Sequence, residues 1–117
     1  MNISKLKEIL YKHPSDLIIK AQIDNEVICK LEYSKMIGEA GIQIMGNDYP
    51  YECKPITVSE LLNNLKEAKN GNNIILFEDV TDWYDEDVTY EDYDIKEAIQ
   101  KDDSLILIGA YISTKIY

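Results

Sequence analysis

The chain contains no arginine, and all 12 of its basic residues are lysines. The guanidinium fork that best matches phosphates and carboxylates is therefore missing, so nucleic-acid binding, nucleotide catalysis and phosphate recognition lose their usual instrument. Bases are also scarce beside acids, 12 against 22, which gives a formal net charge of −10. Such a surface repels a phosphate backbone and favours basic partners: a nucleic-acid-binding protein, a cationic toxin or a metal ion. Histidine is confined to His13 and cysteine to Cys29 and Cys53, which have no CxxC spacing. Reduced core thiols are expected, and a Cys–His pair would lack a third residue to orient the base. With 5 glycines and 3 prolines there is no phosphate-cradling glycine loop and no GxSxG elbow.

Long apolar runs are absent too. No segment approaches the ~20 residues of a membrane span, and charges interrupt the apolar residues of Met1 to Glu8, unlike a signal peptide. The expectation is a cytoplasmic protein. A chain of 117 residues is one domain, with a genuine core but little room for both a substrate cavity and a cofactor. No cofactor, bound metal or enzymatic activity is expected.

Hydrophobic periodicity places the elements. Ile3, Leu6, Ile9 and Leu10 mark a short amphipathic helix, capped by Asn2 or Ser4 and stopped at His13-Pro14. Leu17 to Ile23 and Val27 to Tyr33 read as a β-hairpin about Asp24-Asn25-Glu26. Ser34 to Gly41 is a helical turn or loop, Gly41 to Gly46 a short strand, and Asn47 to Pro50 a turn. Thr57 with Glu60 fits a capping box for a helix reaching Lys69. Val58, Leu61, Leu62 and Leu65 form its buried stripe, and Gly71 supplies a left-handed stop. Asn73 to Phe77 is a central strand, Ile95 to Lys101 a third helix, and Ser104 to Ile112 the strongest strand.

Between them lies the most distinctive surface. Nine carboxylates (Glu78, Asp79, Asp82, Asp85, Glu86, Asp87, Glu91, Asp92, Asp94) are interleaved with Trp83, Tyr84, Tyr90 and Tyr93, and no lysine falls between Asn70 and Ile95. An EF-hand is excluded: counted from Asp85, the glycine position is Tyr90 and the terminal glutamate position is Lys96. A solvated, solubilising loop is one reading. A second is mimicry of a nucleic-acid backbone, because alternate residues of an extended chain lie about 6.6 Å apart, near twice the ~3.4 Å rise per phosphate. Asp85 with Asp87, or Asp92 with Asp94, would then stand at phosphate-like intervals. The aromatics favour a protein interface, since tyrosine and tryptophan anchor such contacts; Trp83 is the ring most expected to pack inward.

One internal likeness is visible. Ile3-Ser4-Lys5-Leu6 with Leu10 matches Val58-Ser59-Glu60-Leu61 with Leu65, each followed by a turn and an apolar strand. This unit resembles a short pattern in small proteins of phages and mobile elements, and it carries over no functional residue. In size, acidity and AT-rich residue usage the chain resembles phage-encoded anti-defence proteins, anti-CRISPR proteins among them. That resemblance implies a non-enzymatic inhibitor acting in the cytoplasm of a bacterial host. It would occlude the nucleic-acid-binding surface of a basic nuclease or CRISPR effector through residues 78–94, without touching nucleic acid or membrane. An immunity protein against a cationic nuclease toxin and a phage structural or accessory protein are the alternatives. The expected fold is α+β: one domain, a mainly antiparallel sheet of about five strands, and two or three helices packed on it.

Overall fold

The computed structural model describes residues 1–36, 39–45, 54–82, 84 and 87–116. Its elements are α1 (Ile3–Tyr11), β1 (Ile18–Ile23), β2 (Glu26–Ile28), β3 (Leu31–Met36), β4 (Glu39–Ile44), α2 (Val58–Asn64), β5 (Ile74–Asp79), β6 (Thr89–Lys101) and β7 (Ser104–Ile116). A 3-10 turn, Leu65–Glu67, continues α2. The α+β class holds, but the sheet has seven strands in the order β2-β1-β7-β6-β5-β4-β3, and two of its pairings, β1 with β7 and β4 with β5, are parallel.

The two strands at the ends of that order, β2 and β3, are joined in sequence by only Cys29 and Lys30. So short a link spans roughly 10 Å. The sheet must therefore curl until its edges meet, with β2 and β3 forming one bent strand between β1 and β4. The expected strand from Val27 to Tyr33 breaks at this bend. Cys29 lies exposed on the bend rather than in the core, and Cys53 falls outside the described residues.

The likeness between the two helical units extends through the whole fold. The amides of Ile19, Val58 and Ser59 donate to the carbonyls of Ile56, Leu17 and Ser15. The same bonds recur 55 residues on with roles exchanged, as Ile74 to Met1, Ile3 to Asn72 and Ser4 to Asn70. Strand registers follow suit. Ile19 opposite Leu105 matches Ile74 opposite Ala40, Ile23 opposite Glu26 matches Glu78 opposite Glu91, and Tyr33 opposite Ile42 matches Ala98 opposite Leu107. The molecule is thus two αβββ units related by a pseudo-twofold axis, each lending its first strand to the other's last. The offset is 55 up to Ile23 and Glu78, and 65 from Glu26 and Glu91 onward. Ten residues are inserted between those points in the second unit: residues 79–90 occupy the place that Asp24 and Asn25 fill in the first.

Both helices form as their sequences dictate. The side chains of Asn2 and Thr57 accept from the amides of Lys5 and Glu60, and the equivalent stripes Ile3, Leu6, Leu10 and Val58, Leu61, Leu65 are fully buried. They share one core with Ile19, Ala21, Ile42, Leu76, Ile95, Leu105 and Leu107. The second helix is shorter than expected, and Gly71 does not adopt a left-handed φ; a turn from Lys69 to Asn72 leads into β5 instead.

Two expectations fail for identifiable reasons. The third helix, Ile95 to Lys101, is the second half of β6. A bulge between Ile95 and Glu97 inserts one residue, so Ile95 and Ala98 both face the core at a spacing that imitates a helix. Ser34 to Gly41 is not a helical turn but the end of β3 and the start of β4, around residues 37–38, which lie outside the described set. So does the expected turn at Asn47 to Pro50.

Candidate functional site

β1, β4, β5 and β7 run in one direction, and the helices sit where β1 and β5 begin. At the opposite end, where these strands finish, the barrel mouth is open. It holds a groove of about 610 Å³ lined by Ile23, Asp24, Asn25, Glu26, Ile28, Ile44, Met45, Glu78 and Tyr93. The groove lies where the two units face each other: Glu78 is the counterpart of Ile23, and Tyr93 of Ile28. The first unit supplies the apolar wall (Ile23, Ile28, Ile44, Met45) together with the polar turn Asp24-Asn25-Glu26, and the second adds an acid and a phenol. Gly109 makes room for this arrangement, since a Cβ there would fall 2.6 Å from Ile23 Cδ1 and 3.0 Å from Leu76 Cδ1.

Acids crowd the mouth. Glu78 stands directly opposite Glu91 across β5 and β6, which places both carboxylates on one face of the ladder. Burial, then the negative charges of Glu91 and Glu26, hold the Glu78 carboxyl above its ordinary range. Tyr93 donates to Glu91 Oε2 at 2.7 Å. Burial and that bond push the phenol well above its ordinary value, so Tyr93 stays a proton donor across the physiological range. None of Asp24, Glu26, Glu78 and Glu91 forms an ion pair among the described residues.

The acidic run from Glu78 to Asp94 is divided by strand alternation into three populations. Glu78 and Tyr93 line the groove, and Glu91 lies on the same face of the ladder, opposite Glu78. Asp92 and Asp94 point to the outer face, where each already has a cation, although Asp92 Oδ1 is buried with no hydrogen-bond partner among the described residues. Asp92, only 2% exposed, holds Lys115 Nζ at 3.0 Å, and Asp94 takes the Met1 ammonium at 2.6 Å and Lys96 Nζ at 3.2 Å. These two acids do not present a free phosphate-like pair. Tyr90 packs edge-on against Phe77 on that same outer face.

The third population is the inserted loop. Asp79 accepts from Thr81 N and Oγ1, Thr89 N donates to Thr81 Oγ1, and Tyr84 N donates to Asp82 Oδ1. Asp82 and Asp87 are exposed, and Tyr84 is 95% exposed. Trp83, Asp85 and Glu86 lie outside the described residues.

Sequence reasoning missed the groove residues of the first unit, Ile23, Asp24, Glu26, Ile28, Ile44 and Met45, because they read only as a turn and two strands. It also missed an apolar component. Of nine exposed large hydrophobics among the described residues, seven belong to this end: Val27, Val80, Tyr84, Val88, Tyr111, Ile112 and Ile116. Extending the comparison of the two halves past the helices would have exposed the insertion. The chain matches no protein-family model, no curated protein and no solved structure.

Proposed function

We propose that this protein is a non-enzymatic inhibitor that binds a basic, nucleic-acid-binding protein through the end carrying the inserted loop and the barrel mouth. The observation that carries this reading is the insertion itself. The first unit closes the same hairpin with two residues where the second spends twelve, 79–90; Asp79, Val80, Thr89 and Tyr90 of these extend the strand ladder, and the stretch 81–88 is the part that the first unit does without. A loop dispensable to the scaffold, dense in carboxylates and displaying Tyr84, is a binding device built on a rigid support. Exposed Val80, Val88, Tyr111, Ile112 and Ile116 around it supply the apolar area that distinguishes an interface from a merely solubilising surface.

The mechanism is occlusion. Carboxylates of the loop occupy the lysines and arginines with which the partner holds DNA or RNA, while Tyr84 anchors the contact. Anti-defence proteins of the anti-CRISPR type, suggested by size, acidity and composition, work within this chemistry; an immunity protein would use the same surface against one cognate toxin. The test is affinity capture from a bacterial lysate expressing defence nucleases, eluted with a salt gradient. A triple variant, Asp79→Asn, Asp82→Asn and Asp87→Asn, is run alongside. The proposal expects a basic nucleic-acid-binding protein that leaves at moderate salt and is depleted in the variant's eluate. Equal capture by both forms, or self-association alone, overturns it.

A further inference from the structure

Resting on the proposal that this end engages a basic protein, we infer that the groove at the barrel mouth is the pocket for one lysine side chain of that partner. The pseudo-symmetry supplies the first argument. Position 78 occupies a place where the same fold accepts isoleucine, Ile23, and position 93 a place where it accepts Ile28. A glutamate opposed to Glu91 is therefore not dictated by the barrel, and its presence costs stability through burial and like charge. Uncompensated polar groups held against the interest of the fold mark functional sites.

The shape supplies the second argument. Ile23, Ile28, Ile44 and the Tyr93 ring offer an apolar channel for a tetramethylene stem. Asp24, Glu26 and Glu78 line the same groove from the β1–β2 turn, β2 and β5, with Glu91 beside them on β6, and none has a cation of its own among the described residues. Carboxylates arriving from separate strands suit a compact ammonium with three donors better than a planar guanidinium fork. The volume of about 610 Å³ exceeds one lysine side chain and accommodates the backbone that carries it.

The probe is Nα-acetyl-lysine N-methylamide, titrated into the full chain labelled at isoleucine δ1-methyls, with the norleucine analogue as control. The inference expects saturable shifts concentrated at Ile23, Ile28 and Ile44, little response to norleucine, and about ten-fold weaker binding to the Glu78→Gln variant, as for loss of one charge-assisted contact. No shift, equal shifts with norleucine, or unchanged binding to Glu78→Gln would overturn it. The readout needs no partner, so the two proposals fail separately. Lysine binding without capture of a basic protein sinks only the proposed function. Capture undiminished by Glu78→Gln sinks only the lysine pocket.

Discussion

Replacing Glu78 by the residue its symmetry mate carries, Glu78→Ile, should make the protein more stable. Two gains add. The first is relief of a directly opposed like-charged cross-strand pair, Glu78 with Glu91, worth about 0.2–1 kcal/mol. The second is burial of an aliphatic side chain beside Ile23 and Ile44. Full burial contributes ~1.5–3 kcal/mol, and at a half-buried position roughly half of that applies. The sum is about 1–2.5 kcal/mol, or a rise of roughly 4–12 °C in melting temperature for a domain of this size. The electrostatic part depends on pH. Folding raises the Glu78 pKa, so the carboxylate costs nothing below its unfolded value and its penalty grows as pH rises through the folded value. The gap between variant and parent should therefore widen from pH 4 to pH 7 and narrow with added salt, leaving the pH-independent burial gain. Differential scanning calorimetry at the two pH values measures both. A variant less stable than the parent at pH 7, or a gap that shrinks as pH rises, would refute the view that Glu78 is held against the preference of the fold.

Other consequences concern the scaffold. Gly109→Ala should destabilise by about 1–3 kcal/mol in urea unfolding, because its Cβ meets the Ile23 and Leu76 side chains. Thr57→Ala removes the acceptor for the Glu60 amide and should cost about 1 kcal/mol in the same assay. Asp94 runs opposite to Glu78. Its hydrogen bond to the Met1 ammonium holds its pKa below the ordinary range, so its contribution is present above the unfolded pKa and lost as pH falls through the folded one. Asp94→Asn should lower the melting temperature at pH 7 and leave it nearly unchanged at the acid end.

Where burial and pairing are local, the sequence was legible. The caps at Asn2 and Thr57, the buried stripes of both helices, and the central strands β5 and β7 follow from spacing and side-chain type. The parallel pairings did not, since β1 with β7 and β4 with β5 join segments far apart in the chain and leave no local pattern. β6 misled because its bulge converts strand alternation into a helical spacing at Ile95 and Ala98. Of the candidate site, the acids of residues 78–94 could be named. Their division into groove, paired outer face and exposed loop could not, because it depends on which cross-strand neighbour each meets: Lys115 for Asp92, Glu91 for Glu78.

On the proposed function, the inserted loop serves binding and not folding. The direct test replaces residues 81–88 with the Asp-Asn turn of the first unit, leaving the Val80 to Thr89 hydrogen bond and the Tyr90–Phe77 contact in place, and measures unfolding and partner association on the same preparation. The expected result is a cooperative unfolding transition within a few degrees of the parent and an association rate reduced at least ten-fold through loss of electrostatic steering. A variant that fails to fold, or that folds and associates as fast as the parent, would contradict it.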